Sequence, residues 1–350
     1  MTSPEIGLVA IGRNEGERLR RCLAAARRLM GPGAPLVYVD SGSTDASLEI
    51  AAGAGARIVT IDPAVGFTAA RARNLGAAAL AEGPGGGPDL VQFVDGDCEL
   101  VAGWLETARD RLLADPELAV VAGRRRERAP GASIFNRLCD MEWNTPTGPA
   151  AAIGGDAMFR RKAFDSVGGF DPDFICGEEP ELCLRLARAG WRIERLDAEM
   201  TLHDADMHRW SQWRRRAERT GWAFAEGAAV HGAGPERYNR REARRSLLWG
   251  LGLPVALLAA ALLAALDAGL AGGVLALGTL GLAGLVALRA ARWRRRAFGD
   301  PWRDALLYGG LVMAGKPFEA LGPLRYRLAR ARGERGRIIE YKGAPESRRA

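Results

Sequence analysis

Two apolar runs in the second half of the chain constrain its fold more than any other feature. Almost every residue is apolar from 247 to 266 and again from 270 to 288, with a short Asp-Ala-Gly interruption at 267–269. Each run has about 20 residues, the length that a helix needs to cross a bilayer core of ~30 Å. A buried core helix is the alternative, because alanine and glycine dilute the hydrophobicity. The runs predict two transmembrane helices.

The charges around the apolar runs favour the membrane interpretation and predict an orientation. Arginines precede the first run and follow the second, whereas the connecting turn carries only Asp267. The flanking arginines are Arg240, Arg241, Arg244, Arg245, Arg289, Arg292, Arg294, Arg295 and Arg296. By the positive-inside rule, both outer ends are cytosolic. The chain is therefore predicted to be a multi-pass protein of the cytoplasmic membrane, with its N-terminal domain facing the cytosol.

The net charge of +7 points to a membrane rather than to nucleic acid. The basic residues fall mostly after position 208 and flank the apolar runs, and they form no recognisable nucleic-acid-binding motif. The five cysteines are scattered and contain no C-x-x-C pair, so neither a disulfide framework nor a zinc site is indicated. The start of the chain lacks the basic and apolar regions of a secretory signal, which agrees with a cytosolic first domain.

The first half of the chain alternates strand-like and helix-like segments. This pattern predicts an α/β fold, a mostly parallel sheet with helices on both faces. Ligands of such sheets bind beyond the carboxyl ends of the strands, where Asp40 and Asp95 lie. The predicted strands are 6–11, 36–39, 57–61, 90–94 and 118–121, and the predicted helices are 17–29, 47–54, 68–81 and 179–189.

These patterns divide the chain into three predicted parts. The α/β domain covers residues 1–235, and the basic-flanked membrane hairpin covers 236–296. The remainder, 297–350, carries an apolar stretch at 305–314 that is too short to span a bilayer and is expected to be an interfacial helix. The arginine-rich tail that follows is expected to contact anionic headgroups or to stay partly disordered.

A strand that ends in two carboxylates is the strongest local signal of chemistry. Asp95-Gly96-Asp97 directly follows the apolar run 90–94. Hard divalent cations such as Mg²⁺ or Mn²⁺ prefer oxygen ligands and bridge carboxylates to a diphosphate. An isolated D-x-D is common in surface turns, but its place after a buried strand favours a metal site.

Four segments in one order resemble the family 2 glycosyltransferases with the GT-A fold. They are Val39–Asp45, Asp95–Asp97, Gly154–Arg161, and Gly168–Asp171 with Gly177–Arg185. The resemblance covers residues from about 5 to 230. It implies a Rossmann-like mixed sheet, a nucleotide-diphosphate sugar as donor and a divalent metal.

The resemblance also implies roles for residues of the donor site. Asp40 would contact the nucleoside, although an aspartate here also caps turns well. Ser41 stands where many relatives have a second aspartate, which leaves the nucleotide base open. Arg73 and Asn74 would line the donor site, since arginine suits phosphate. The predicted donor set is completed by Asp95, Gly155 and Asp156, the last of which could equally stabilise a turn.

The segment Gly177-Glu178-Glu179 matches the family's catalytic E-D element. Glu179 would be the base that deprotonates the acceptor hydroxyl, with Glu178 beside it. The alternative is that these acids simply occupy a first helical turn, as acids often do. His203 lies where many relatives have a histidine that joins the metal or the diphosphate, so the predicted metal ligands are Asp95, Asp97 and His203.

The implied reaction is a single displacement with inversion at the anomeric carbon. The hairpin suggests a lipid-linked acceptor or another envelope or exopolysaccharide glycan near the membrane. One alternative is transfer to a polyprenyl phosphate, which needs no base. Another is a non-catalytic, membrane-anchored protein that binds nucleotide sugars or acts as a scaffold.

The sequence disfavours a processive polysaccharide synthase. Gln212 and Arg215 have the spacing of the Q-x-x-R-W element of such synthases, but Arg216 replaces the tryptophan. The nearby Trp210, Trp213 and Trp222 could stack on an acceptor sugar or lie at the membrane surface.

Overall fold

The computed structural model describes residues 5–83, 86–266 and 268–334. The chain divides into two compact units. The first comprises Met1–Pro130 with Glu142–Asp206, and the second comprises Gly131–Met141 with Met207–Ala350. The boundaries between these units differ in kind from the predicted domain limits at residues 235 and 296, which stay a prediction.

The described residues of the first unit form a mixed sheet with helices packed on it. The strands are β1 (Ile6–Gly12), β2 (Leu36–Asp40), β3 (Arg57–Thr60), β4 (Leu90–Asp95), β5 (Cys98–Leu100), β6 (Leu118–Glu127), β7 (Gly148–Pro149), β8 (Ala157–Arg160) and β9 (Arg192–His203). The helices of the chain as far as residue 188 are α1 (Glu17–Met30), α2 (Ser47–Gly53), α3 (Ala69–Ala81), α4 (Trp104–Ala114), α5 (Ile134–Trp143), α6 (Arg161–Ser166) and α7 (Glu178–Arg188).

The strand order brings the functional segments to one edge of the sheet. It is β3-β2-β1-β4-β8-β6-β9-β5, with β7 paired to β9. Strands β1 to β4 are mutually parallel, and their register places Gly12 opposite Asp40 and Ile11 opposite Asp95. Strand β8 is antiparallel to β4, with Ala157 opposite Phe93, so it begins at the same edge. The mixed α/β sheet predicted from the sequence is confirmed.

Buried apolar residues explain why these segments form strands and how the helices approach them. Leu8, Val9 and Val39 are fully buried. Gly76 of α3 faces the sheet, and a Cβ atom there would run into the side chain of Val9 and lie 3.1 Å from Val39 Cγ2. This glycine lets α3 pack closely on β1 and β2, which sets the position of the arginine that precedes it on the same helix.

Strand β6 extends to Glu127, whereas the sequence predicts an end at Val121. The last four residues of the strand, 124–127, are all charged. They stay in the sheet because they pair with β9, where Arg125 lies opposite Thr201 and Glu127 lies opposite His203. This extension carries two charged side chains into the site.

The second unit is helical. Its long helices are α8 (Trp210–His231), α9 (Arg240–Ala265), α10 (Gly269–Phe298) and α11 (Trp302–Ala331). Within the described ranges, α9 and α10 are long and apolar enough to cross a membrane, and an 18-residue window of each has a mean hydropathy of 2.2 and 2.0, respectively. Only 11% and 6% of their apolar windows are buried. They are therefore unlike the core helices of a soluble protein. Asp267 of the predicted turn and the tail beyond 334 lie outside the described residues.

Helix α11 is much longer than the interfacial helix predicted at 305–314, and it packs on the other helices through glycines. A Cβ atom at Gly309 would collide with the carbonyl of Ala287, and one at Gly322 would collide with the backbone of Trp222. The sequence suggests a close approach of α9 and α10 at Gly269 and Gly273, which is wrong. Nothing lies within 4 Å of either, and the close contact is made instead by Gly272.

Candidate active site

The turn after β2 is built around the carboxylate of Asp40. Its Oδ2 accepts hydrogen bonds from the backbone N–H groups of Gly42 (2.9 Å) and Ser43 (2.8 Å), and Tyr38 donates to Oδ1 at 3.2 Å. The backbone N–H of Ser41 donates to the carbonyl of Gly12. Asp40 thus caps the turn, as the alternative interpretation expected, while its contact with a nucleoside stays a prediction.

A buried guanidinium links the D-x-D segment to the start of α7. Arg73 of α3 is 2% exposed. Its Nη2 donates to Asp95 Oδ1 at 2.8 Å and its Nη1 to Glu178 Oε1 at 2.8 Å, while Nη2 also lies 3.4 Å from Glu179 Oε1. These four residues, predicted from separate segments, form one cluster. Three acids around one cation leave this cluster negatively charged.

The surroundings of Glu179 change its proton affinity. Burial and the charge of Glu178 raise the pKa of Glu179 to about 7, against the opposing effect of Arg73. Its side chain keeps 19% of its surface exposed, whereas that of Glu178 keeps 3%. A carboxyl group with this pKa and this access can accept a proton near neutral pH.

Asp156 is a second buried centre, directly before β8. Its Oδ1 accepts from the backbone N–H of Asp95 at 3.0 Å, and its Oδ2 accepts from Thr201 Oγ1 at 2.7 Å. Arg125 Nε lies 2.9 Å from the same Oδ2, and Arg125 Nη2 lies 3.4 Å from Asp95 Oδ2. Asp156 therefore fixes the backbone of the D-x-D segment, and its predicted contact with substrate stays a prediction.

The residue before Asp156 must be glycine, because its backbone passes close to the cluster formed by Arg73, Asp95, Glu178 and Glu179. A Cβ atom at Gly155 would collide with Arg73 Nη2 and lie 3.0 Å from Glu179 Oε1.

Asn74, next to Arg73, exchanges two hydrogen bonds with the backbone of Phe170, at 2.7 and 2.9 Å. Asn74 thereby ties the loop after α6 to α3, and its predicted part in donor binding is not decided by this contact.

Asp97 and His203 meet as a buried pair beside these clusters. Asp97 Oδ2 lies 3.3 Å from His203 Nε2, and Glu127 Oε2 lies 3.7 Å from His203 Nδ1. The ligand atoms of Asp97, Cys98 and His203 all lie within 4.8 Å of one another, as do those of Asp95, Cys98 and Asp156. The three residues predicted to bind metal therefore lie in two adjoining groups.

The chemistry of these groups fits a divalent cation. Carboxylates outnumber guanidinium groups in the site, and an anionic diphosphate would be repelled without an added positive charge. Carboxylate oxygen and imidazole nitrogen are donors that Mn²⁺ accepts, and oxygen suits Mg²⁺. The carboxylates are those of Asp95, Asp97, Glu127, Asp156, Glu178 and Glu179.

Sequence reasoning missed three residues of the site. Arg125 and Glu127 lie beyond residue 121, where the predicted strand ends. Trp143, at the end of α5, packs edge-on against His203 with ring centroids 4.3 Å apart, and Arg125 Cζ lies 5.6 Å from its ring centroid. Arg125 and Glu127 are two positions apart, the spacing that places strand residues on one face, whereas Trp143 gave no such signal.

The tryptophans proposed for acceptor stacking belong to the second unit. Trp213 and Trp222 are buried there, whereas Trp210 is 49% exposed. Gln212 Oε1 accepts from the backbone N–H groups of His208 and Arg209 and so caps the start of α8. This is a structural role for Gln212.

The comparisons with known proteins agree with this geometry. The family described as "Glycosyl transferase family 2" matches residues 9–168, and "Glycosyl transferase family group 2" matches residues 99–316. The sheet and the ordered motifs define a glycosyltransferase with the GT-A fold. The chain belongs to glycosyltransferase family 2, as its motifs predicted.

Two curated relatives and one solved structure are similar to parts of the chain. The chain is 29% identical over 216 residues to the pre-mycofactocin glycosyltransferase of Mycobacterium tuberculosis, covering 57% of this chain and 43% of that protein. It is 31% identical over 196 residues to the succinoglycan biosynthesis protein ExoA of Rhizobium meliloti, covering 51% and 57%. The matches thus span about half the length of these relatives.

The solved structure supports the fold over nearly the whole chain. It is the mannosyltransferase PcManGT from Pyrobaculum calidifontis in complex with GDP-Man and Mn²⁺, with a TM-score of 0.58 and 20% identity. The match covers 92% of this chain and 88% of that one.

Proposed function

We propose that the protein transfers a sugar from a nucleotide-diphosphate sugar to an acceptor hydroxyl near a membrane, with inversion and with the help of a divalent cation. One observation carries this proposal. Glu179, with a pKa of about 7, lies 3.4 Å from the guanidinium that also holds Asp95 of the D-x-D segment. A base with a pKa near neutral pH therefore lies beside the residues expected to hold the donor.

The proposed reaction is a direct displacement at the anomeric carbon. The acceptor oxygen forms a bond to that carbon while the bond from the carbon to the diphosphate oxygen breaks, and its electron pair leaves with the diphosphate. Glu179 takes the proton of the acceptor hydroxyl. Its place in the first turn of α7 and the neighbouring Arg73 hold the carboxylate in position.

Asp97 and His203 would hold the cation, with Asp95 beside them. When bound, Mg²⁺ or Mn²⁺ would neutralise charge on the departing diphosphate. PcManGT, which shares the fold, was solved with GDP-Man and Mn²⁺, which is in keeping with this donor class and this cation. The donor is a UDP-, GDP- or dTDP-sugar, since Ser41 stands where many family members have a second aspartate and leaves the nucleotide base open.

The acceptor is proposed to be lipid-linked or part of an envelope glycan. Helices α9 and α10 are apolar and largely exposed, and their arginines lie at the outer ends of the pair. Trp293 and Trp302, near the same ends, are about half exposed, as is common for aromatic residues at a membrane interface. We infer a membrane hairpin with the catalytic domain on the cytosolic side. ExoA, a partial relative, is named for succinoglycan biosynthesis.

Two variants test the proposal. Asp97→Ala should abolish transfer and Glu179→Gln should slow it by about 10²–10⁴-fold, and each should leave the thermal unfolding midpoint within a few degrees of wild type. Full activity in both variants would contradict the assignment. Activity that survives Glu179→Gln but not Asp97→Ala would instead favour a polyprenyl phosphate acceptor, because a phosphate oxygen needs no base.

A thermal-shift panel addresses the donor. Ligands that bind the folded state raise its melting temperature by mass action. We expect one of UDP, GDP and dTDP to stabilise the protein more than the others, and more strongly with Mn²⁺ than with EDTA. No shift with any of the three would count against a nucleotide-sugar site.

A further inference from the structure

Arg125 is held so that one edge of its guanidinium faces the D-x-D segment. Nε lies 2.9 Å from Asp156 Oδ2, on a carboxylate that is completely buried. The indole of Trp143 packs against the group, 5.6 Å from Cζ to the ring centroid. With Nε fixed in this way, Nη2 points to Asp95 Oδ2 at 3.4 Å.

Two guanidinium groups from different elements thus converge on one carboxylate. Arg73 Nη2 contacts Asp95 Oδ1 at 2.8 Å, and Arg125 Nη2 contacts Oδ2. The Arg125 side chain is 14% exposed and that of Asp95 is 28% exposed, whereas that of Arg73 is 2% exposed, so of the two arginines Arg125 has more access to solvent. A Cβ atom at Gly154 would find Arg125 Nη2 as its nearest neighbour, at 4.0 Å, so the loop leaves space beside this nitrogen.

The two arginines are not equally committed to protein acids. Arg73 is within 3.4 Å of three carboxylates, those of Asp95, Glu178 and Glu179. The contact of Arg125 with Asp95 is long for a charge-assisted hydrogen bond, which is usually about 2.7–2.9 Å. Arg125 therefore gives up little when it turns to another anion.

We propose that Arg125 binds the terminal phosphate of the nucleoside diphosphate part of the donor. The planar fork of arginine matches phosphate geometry, and the Asp156 contact orients it before the ligand arrives. This inference rests on the proposed function, since it assigns a residue to the same donor site. It predicts that Arg125 contributes to affinity through the second phosphate and not through the nucleoside.

The test compares diphosphate with monophosphate binding. Dissociation constants of UDP, GDP and dTDP, and of UMP, GMP and dTMP, are measured by calorimetry on the full chain in detergent, without and with Mn²⁺. Arg125→Gln should weaken the preferred diphosphate about tenfold or more, as expected for loss of a hydrogen bond to a charged group. The affinity for the matching monophosphate should change by less than about twofold, because the monophosphate lacks the phosphate that Arg125 is proposed to bind.

Arg126→Gln is the matched control. Arg126 is the next residue on β6, has a 52% exposed side chain and lies 3.6 Å from Glu199. Arg126→Gln should leave the affinities for the diphosphate and for the monophosphate unchanged. If Arg125→Gln does not fold, Arg125→Lys replaces it: this variant keeps the charge without the fork and should still bind the diphosphate more weakly than wild type, with the monophosphate unchanged.

The outcomes separate this inference from the proposed function. Equal loss of diphosphate and monophosphate affinity in the Arg125 variants, or no loss of either, would overturn the role of Arg125 alone. Failure of the wild-type chain to bind any of the nucleoside diphosphates would overturn the proposed function and this inference with it.

Discussion

Glu178 and Glu179 are adjacent in the chain, but the structure gives their carboxylates different surroundings. Glu178 accepts a 2.8 Å hydrogen bond from Arg73 and is almost completely buried. Glu179 is farther from the same guanidinium and keeps some access to solvent. Burial and the charge of Glu178 raise the pKa of Glu179 to about 7. Glu178 is thus held in a buried ion pair, whereas Glu179 keeps access to solvent, and a catalytic part for either residue stays a prediction.

The pH dependence of transfer should report the ionisation of Glu179. A base must be unprotonated to accept a proton, so activity should rise with pH and level off above about 7. The measurement is kcat/KM between pH 5 and 9 at saturating cation. Glu179→Gln should be slower by about 10²–10⁴-fold and should lose this acid limb. An acid limb that persists unchanged in the variant would assign it to another group.

Gly155→Ala should disturb the first cluster. The added methyl group would collide with Arg73 and crowd Glu179, so we expect a loss of about 1–3 kcal/mol in stability and a marked loss of activity. Gly33→Ala is the control, because nothing lies within 4 Å of the added Cβ. Denaturant unfolding and initial rates measure the two effects. Wild-type behaviour of Gly155→Ala would show that the loop moves freely away from Arg73.

The candidate residues could be found from motifs, but their partners could not. Arg73 and Glu178 are 105 positions apart, and nothing in the local pattern of either shows that they pair. Local composition even pointed away from Arg125, since a basic stretch after an apolar run is typical of a strand that has ended. Acids from distant strands supply the charges that allow it to remain inside.

At the scale of elements, helix α11 shows how far close packing can depend on single glycines. Gly309 lies against the carbonyl of Ala287 in α10, and Gly250 of α9 lies against Ala320 of α11. The sequence predicts only a short interfacial helix at 305–314, because this apolar stretch is too short to span a bilayer. The helix of the structure also contains Pro317 and Pro323. The helix continues through both prolines because its neighbours in the bundle pack around it.

Adjacent glycines in α11 provide a matched pair of variants. Gly309→Ala should destabilise the helical unit by about 1–3 kcal/mol, since the methyl group would strike the backbone of α10. Gly310 faces open space, so Gly310→Ala should be neutral or slightly stabilising, because alanine favours the helical conformation more than glycine does. Thermal unfolding in detergent distinguishes the two. Equal effects would contradict the packing of α11 described above.

At the scale of the whole molecule, the alternating first half and the two apolar runs were sufficient to predict a mixed α/β sheet followed by two long apolar helices. The grouping of residues 131–141 with the second unit was not predictable. That grouping depends on contacts such as the 2.8 Å hydrogen bond from Arg294 to the carbonyl of Met141, across 153 positions of the chain. Periodicity carries no information about contacts of this kind.

A membrane hairpin predicts a specific response to salt. Arginine contacts with anionic headgroups are screened at 1 M salt, where the Debye length is about 3 Å, but insertion of apolar helices is not. The full chain should therefore remain in the membrane fraction after washing with 1 M NaCl and be released only by detergent. Quantitative immunoblotting of the washed fractions measures this. Release by salt alone would indicate surface attachment instead of a hairpin.

Release of nucleoside diphosphate is the most direct test of the central claim, that this chain transfers a sugar from a nucleotide-sugar donor. The purified protein in detergent is incubated with UDP-, GDP- and dTDP-sugars, a membrane lipid extract as acceptor source, and Mn²⁺ or EDTA. We predict diphosphate release from one donor class that requires both the extract and Mn²⁺ and is lost in Asp97→Ala. Release that is the same with EDTA and in Asp97→Ala, or no release from any donor, would contradict the account.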